Sequence, residues 1–117
     1  MNRFIIEPRD LPPFFMYPRA LLGMGLTATE TSVYLLLLDR ARISARSDDW
    51  RNYLGQVYVY YPIRALTFAA SSSETAVKKA LRGLEQKDMI RRQRQGMGKP
   101  NRIYVKLPEP DEDWRPA

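Results

Sequence analysis

Cysteine and histidine are both absent from the 117-residue chain. Without cysteine there is neither a disulfide framework nor thiolate chemistry. The two absences together exclude the usual zinc sites and the Ser-His and Cys-His nucleophile pairs. The carboxylate pair Asp48–Asp49 lies among turn residues with no further metal ligand nearby, so it does not change this conclusion. We therefore expect a protein that has no catalytic activity and needs neither a metal nor a cofactor.

Two other sequence signatures are missing. No glycine-rich loop followed by Lys-Ser or Lys-Thr is present, which argues against a nucleotide-driven motor. The longest apolar run, residues 33–38, is too short to cross a bilayer, and the N-terminus lacks the apolar core of a signal peptide. We expect a cytoplasmic protein with no membrane partner.

Positive charge is what the chain has in excess, with a net charge of +6. Residues 78–106 contain ten cations against two acids, so this stretch alone carries +8. The surplus is therefore concentrated in one part of the chain. A solvated basic surface is the ordinary explanation of such a cluster, and an anionic partner, nucleic acid above all, is the functional one.

The first 26 residues are predicted to form an extended arm, because four prolines interrupt any helix there. This arm is also rich in large apolar side chains, which a solvated tail would not carry. It is expected to pack either on the domain or on a second copy, which would make the protein a homodimer. At the other end, residues 108–117 are acidic and rich in proline, and are predicted to be a tail or linker.

Between these ends, residues 27–107 follow a winged helix-turn-helix order. Thr27 and Glu30 form a capping box that opens a helix through residue 42. A strand at 57–61 and a short helix at 62–70 follow. A second capping box, Ser71 with Glu74, predicts a helix over 71–87.

A hairpin completes the predicted domain. Strands at 89–95 and 102–107 flank a turn cluster of glycine, proline and asparagine over 96–101. A short helix, a tight turn, a capped helix and then a hairpin form a helix-turn-helix followed by a wing. The fold class is thus α+β, a winged helix with an extended N-terminal arm.

Helix 71–87 has one apolar side and one side of polar and cationic residues. The polar side suits phosphates and base edges in a major groove. Serines at the helix start suit a phosphate, and the hairpin would follow the adjacent backbone or enter a minor groove. The candidate DNA-binding residues are Ser72, Ser73, Thr75, Lys78, Lys79, Arg82, Arg91, Arg92, Arg94, Lys99, Asn101 and Arg102.

Four stretches of the chain resemble motifs of one known family. Residues 15–22 contain a Tyr-Pro-Arg entry motif, and residues 34–41 read Tyr-Leu-Leu-Leu-Leu-Asp-Arg-Ala. Residues 55–58 read Gly-Gln-Val-Tyr, and residues 91–106 are close to the family's wing. Together they resemble the N-terminal domain of the replication initiator protein A family of plasmids and related mobile elements in low-GC Gram-positive bacteria. The resemblance implies recognition of repeated double-stranded sites at a replication origin, and self-association. It also implies a C-terminal domain, missing from these residues, that recruits host replication proteins.

Two alternatives remain open from the sequence. A transcriptional regulator could use the same fold on sites of the same kind. A protein-interaction winged helix would tether a partner without binding DNA, but its helix 71–87 should then expose apolar or aromatic groups. That face instead carries Lys79, Arg82 and Gln86.

Overall fold

The structure, a computed structural model, describes residues 4–108, so almost all of the predicted acidic tail lies outside the described residues. Three helices and three strands follow one another in the predicted order. They are α1 (Ala28–Ser44), β1 (Tyr58–Val59), α2 (Ile63–Ala69), α3 (Glu74–Gln86), β2 (Ile90–Gln93) and β3 (Arg102–Val105). Helices packed against one antiparallel sheet, with a hairpin after α3, confirm the predicted α+β winged helix.

Helix α1 is the central element of the core. It begins with the predicted capping box: Glu30 N donates to Thr27 Oγ1 at 3.1 Å, and Thr27 N donates to Glu30 Oε1 at 2.9 Å. Val33, Tyr34 and Leu37 are fully buried in the cluster shared with α2, α3 and the sheet. The Tyr34 hydroxyl donates to the carbonyl of Lys106 at 2.7 Å, and its burial raises its pKa to about 12.

The turn between α2 and α3 corrects one sequence prediction. Ser73, not Ser71, caps α3, and its Oγ accepts from Ala76 N at 3.1 Å. Ser71 instead has a φ of +50° and ends α2. Ser71 N donates to Phe68 O and Ser72 N to Thr67 O, the paired bonds of a Schellman motif. Three successive serines thus terminate one helix and start the next, so α3 begins at Glu74.

The sheet has the strand order β1-β3-β2, with all pairs antiparallel. Val59 lies opposite Ile103, and both point into the core. Tyr58 lies opposite Tyr104 on the other face, where Trp50 and Tyr60 join them in edge-on and tilted contacts. The predicted strands at 57–61, 89–95 and 102–107 are shorter in the structure, because hydrogen-bonded pairing extends only where β3 has a neighbour.

The N-terminal arm is solvent-exposed at residues 4–9 and 11–17, and it contains one short turn, Pro8–Asp10. A second turn, Arg19–Gly23, brings Leu21 into the core at 3% exposure. By contrast, Phe4 and Ile6 are 92% and 85% exposed. Residues 14–18 form one wall of an open apolar groove of about 790 Å³, whose other walls are the end of α1 and the strand β3.

Candidate nucleic-acid interface

Helix α3 divides into a buried side and a cationic side, as predicted. Its buried residues are Val77, Ala80, Leu81 and Leu84, and its exposed ones include Thr75, Lys78, Lys79, Arg82 and Gln86. Lys78 Nζ lies 2.9 Å from Glu74 Oε1, one turn earlier in the same helix. Within the described residues Lys79 and Arg82 form no side-chain hydrogen bond or ion pair, so their charges face solvent uncompensated.

The two serines at the start of α3 differ in what they can offer a ligand. The Ser72 hydroxyl donates to Ala70 O at 3.2 Å, so its proton belongs to the turn. Ser73 Oγ accepts a bond from Ala76 N as the helix cap. Its hydroxyl proton can still be donated, because a hydroxyl both accepts and donates. Only Ser73 of this pair therefore retains a donor for a phosphate.

Three cations of the hairpin strands are held by neighbouring groups. Arg91 lies over the ring of Tyr104 at 4.5 Å, and Arg102 lies over the ring of Tyr58 at 4.3 Å. Arg92, on the opposite face of the hairpin, forms an ion pair with Glu85 of α3. The first contact joins the two strands of the hairpin, and the other two fix the hairpin to β1 and to α3. They also reduce what the three side chains can give to DNA.

The loop between the two strands, residues 94–101, keeps its cations free. Arg94, Lys99 and Asn101 are exposed, and none of their side chains has a hydrogen-bond or ion-pair partner within residues 4–108. Gln95, an uncharged residue of the same loop, is bonded on both sides. Its Nε2 donates to Tyr60 Oη at 3.0 Å and to Pro100 O at 2.8 Å, and its Oε1 accepts from Arg102 Nε at 3.1 Å. The predicted DNA-binding residues of the hairpin therefore separate into structural strand residues and free loop residues.

Arg64 was missed by the sequence analysis. It lies on α2, which packs against α3, and its side chain is exposed with no partner among the residues described. The signal was present, because Arg64 is the only cation of the predicted helix 62–70. A single cation outside the basic stretch 78–106 does not by itself indicate a binding surface.

Lys87 was counted in the sequence among the cations of the basic stretch, but the structure gives it another role. Its Nζ donates to Glu30 Oε1 at 2.5 Å and to Gly25 O at 3.1 Å, so it joins the end of α3 to the start of α1. Burial disfavours the Glu30 carboxylate, but hydrogen bonds from Lys87 and from Thr27 N outweigh it, so the pKa of Glu30 lies below its ordinary value.

The described part of the chain holds no cluster of three or more potential metal-ligating carboxylates. None of its helices combines the length and the apolar character needed to cross a membrane. Binding through the charges and hydrogen-bond donors of α3 and of the loop 94–101 is what this surface can offer chemically.

The helix-turn-helix, the hairpin and the basic exposed face define a winged-helix domain of the nucleic-acid-binding class. Residues 11–113 match the family described as the N-terminus of replication initiator protein A (RepA), and the chain belongs to this family. This assignment confirms the prediction of the DNA-binding N-terminal domain of a replication initiator.

Solved structures share the fold. One described as "N-Terminal domain of DNA binding protein" is 23% identical with a TM-score of 0.75, over 96% of this chain and 88% of that one. "Structure of Rep-DNA complex" is 23% identical with a TM-score of 0.74, over 95% and 88%. "Structure of MDR initiator" is 20% identical with a TM-score of 0.71, over 95% and 90%. No curated protein matches the sequence.

Proposed function

We propose that this domain recognises repeated double-stranded sites at a replication origin by placing α3 in the major groove and the loop 94–101 against the neighbouring minor groove or backbone. The observation that carries the proposal is the pair Lys79 and Arg82. Both are exposed on the side of α3 opposite the core, and neither has a partner among the described side chains. A replication initiator has to find its origin, and this is the surface with which it can do so.

The side chains of α3 differ in what they contribute. Arg82 can present two parallel N–H donors to O6 and N7 of guanine, the commonest specific contact of this kind. Lys79 supplies a point charge for a phosphate or a base edge. Thr75, one turn before Lys79, offers a hydroxyl and a methyl group. The helix therefore contains both parts of recognition, phosphate contacts that position it and base contacts that specify the site.

Cations outside α3 would fix the position of the domain on the duplex. Arg94 and Lys99 lie on the loop, and Arg64 lies on α2, so the three are placed on elements on either side of α3 in the chain. Each phosphate neutralised releases counterions, so each such contact adds to the salt dependence of binding. The domain acts by binding alone, in the cytoplasm, where origin DNA is found.

The test is fluorescence anisotropy with two labelled duplexes, one carrying the repeats found in or near the protein's own gene and one scrambled. The wild-type protein should prefer the repeats by roughly 10³-fold or more. The double variant Lys79→Ala/Arg82→Ala should lose most of this preference, whereas Leu54→Ala, at an exposed apolar side chain on another loop, should retain it. Equal binding of both duplexes by the wild type would reject sequence-specific recognition and leave only non-specific binding to DNA.

Self-association through the N-terminal arm is the second part of the proposal. Phe4, Ile5 and Ile6 are 92%, 67% and 85% exposed in one chain. The groove of about 790 Å³ beside Phe14–Pro18 is lined mainly by apolar groups. Exposed apolar groups of this kind are typical of an interaction site. A second copy would cover these groups, and a dimer suits binding to repeated sites.

Sedimentation tests the dimer. The variant Ile5→Asp/Phe14→Asp should sediment as a monomer at concentrations where the wild type is a dimer, and Leu54→Asp should behave as the wild type. Identical monomer masses for all three proteins would reject the role of the arm. The resemblance implies that a C-terminal domain recruits host replication proteins, and we propose no surface for this recruitment on residues 4–108.

A further inference from the structure

The tip of the hairpin carries an apolar side chain that nothing in the fold uses. Met97 is 102% exposed, the highest value among the large apolar side chains described. It stands between Gly96 and Gly98, whose φ angles of +119° and +77° lie in the region that favours glycine. Single exposed apolar residues are ordinary on protein surfaces. What separates Met97 from those is its position and its neighbours.

The base of the loop is held in a fixed shape. Gln95 bonds across the loop to Pro100 O and receives a bond from Arg102, which closes residues 95–102 into a ring of contacts. A third bond, to Tyr60 Oη at 3.0 Å, ties the same side chain to the segment after β1. The Tyr60 ring in turn packs edge-on against Trp50, with centroids 5.4 Å apart. Met97 therefore lies at the tip of a loop whose base is held by hydrogen bonds, both across the loop and to the segment after β1.

Positive charge surrounds the tip. Arg94 and Lys99 lie within three residues of Met97, and their side chains have no partner among residues 4–108. The strand that leads to the loop is fixed to α3 by the ion pair between Arg92 and Glu85. When α3 lies in a major groove, phosphates on either side of the neighbouring minor groove would attract these two cations. The tip between them would face the floor of that groove.

We propose that Met97 is an apolar wedge that enters the minor groove beside the site of α3, and that Gln95 is the positioning residue that aims it. The proposal rests on the proposed function and deepens it. Apolar side chains are used in this way by minor-groove proteins, where they pack on sugars and base edges or between base steps. The minor groove of A·T pairs has only acceptors, whereas G·C adds an amino group. That amino group projects from the groove floor into the space of an apolar wedge and would be left there without an acceptor, so Met97 favours A·T pairs at this position.

The experiment uses a base that alters only one groove. 2,6-Diaminopurine paired with thymine adds the minor-groove amino group of guanine and leaves the major-groove pattern of A·T unchanged. Two duplexes carry the same repeats, one with adenine and one with diaminopurine at every adenine. The wild-type protein should bind the modified duplex roughly tenfold more weakly, the effect of about one unfavourable base-pair contact.

The variants assign this discrimination to residues. Met97→Ala should bind both duplexes about equally and keep the salt slope of the wild type, because no charge is removed. Met97→Leu should keep the discrimination, because leucine restores an apolar wedge. Gln95→Ala should lose it although Met97 is present, with folding checked by thermal unfolding. Leu54→Ala serves as the matched control and should behave as the wild type.

Two results would overturn the proposal: equal binding of both duplexes by the wild type, or discrimination that survives in Met97→Ala. Discrimination that survives in Gln95→Ala would reject the positioning role. The proposed function fails by a different result, namely when Lys79→Ala/Arg82→Ala binds the repeats as tightly as the wild type does. Failure of the wedge proposal is measured with the wild type and Met97→Ala, whereas failure of the proposed function is measured with Lys79→Ala/Arg82→Ala, and all three proteins belong to one titration series.

Discussion

Helix α3 and the hairpin of residues 90–105 are the two basic regions of the molecule, with three cations and five cations respectively. On α3 two of the three, Lys79 and Arg82, form no hydrogen bond or ion pair with any side chain that the structure describes. On the hairpin the three strand cations are held: two lie over tyrosine rings and one pairs with Glu85. Among its cations, only Arg94 and Lys99, both in the loop, have no hydrogen-bond, ion-pair or ring partner within residues 4–108. The hairpin therefore has more cations than α3, but each region presents two cations without internal partners to a ligand.

The difference comes from the surroundings of each backbone. A helix face that points away from the core has no neighbouring element, so its side chains meet only solvent. A strand of a three-stranded sheet has cross-strand neighbours on both faces, and long cationic side chains pack along them. Arg91 faces Tyr104 because these two residues are paired in the register, and Arg102 reaches Tyr58 on the same face.

The largest predicted effect separates Arg82 from Arg102. Arg82→Ala should weaken binding to the origin repeats by ~1–3 kcal/mol, roughly 5- to 150-fold, because it removes a bidentate base contact. Its thermal midpoint should change little, because the Arg82 side chain is exposed and forms no hydrogen bond or ion pair within the described residues. Anisotropy and thermal unfolding on the same preparation measure both quantities.

Arg102→Ala should show the opposite profile. It removes the contact with the Tyr58 ring and the bond to Gln95. The unfolding midpoint should fall by about 4–8 °C, the shift expected when interactions of this kind are lost from a small domain. Its affinity for the repeats, measured well below that midpoint, should change less than threefold. A larger loss of affinity for Arg102→Ala than for Arg82→Ala would contradict the division between the two regions.

The second prediction concerns Lys87, a cation at the end of α3 that serves the fold. Lys87→Ala should lower the free energy of unfolding by about 1–3 kcal/mol, because it leaves the carboxylate of Glu30, a residue only 5% exposed, without its cationic partner. Urea unfolding measures this. DNA binding by the folded variant should remain within about twofold of the wild type, and a loss as large as that of Arg82→Ala would place Lys87 in the interface instead.

The third prediction is the pH dependence of the same contact. The pKa of Glu30 is lowered in the folded state, so its contribution to stability is present above the unfolded pKa, near 4.3, and is lost as the pH falls through the folded value. In Lys87→Ala the burial of Glu30 is no longer offset by the ammonium group, so its pKa rises. Glu30 should therefore lose less stability on acidification in the variant than in the wild type, so the difference in the free energy of unfolding between the two proteins should shrink as the pH falls from 6 to 3. Unfolding curves at several pH values between 3 and 6 test this; coincident pH profiles would contradict it.

Much of this fold follows from the sequence, because its signals are local. The capping box of Thr27 and Glu30 and the apolar side of α3 depend on residues within one or two turns, and both were predicted correctly. The order of elements then defined the winged helix. The cap of α3 was placed two residues too early because Ser71, Ser72 and Ser73 are chemically equivalent in the sequence. Only the left-handed backbone at Ser71 separates their roles.

The binding surface was predicted less completely, because the partners of its side chains are distant in the chain. Lys87 pairs with a carboxylate 57 residues away, and Gln95 bonds to a tyrosine 35 residues away. No composition or periodicity indicates such pairs. The basic stretch 78–106 therefore includes cations that serve the fold, and the position of Arg64 alone in the sequence gives no sign of its exposure beside α3.

The smallest predicted effect lies within α3 and refines the comparison. Lys78 is exposed like Lys79, but it pairs with Glu74 at 2.9 Å in the favourable order, with the acid four residues before the base. Lys78→Ala should cost about 0.3–0.5 kcal/mol of stability, the usual worth of an exposed helical pair. It should reduce the slope of log affinity against log salt by less than one phosphate contact, whereas Lys79→Ala should reduce it by about one. Salt titrations of the two variants decide between them: if Lys78→Ala changes the slope as much as Lys79→Ala does, the pair with Glu74 opens on DNA, and an internal partner does not by itself withhold a cation from the interface.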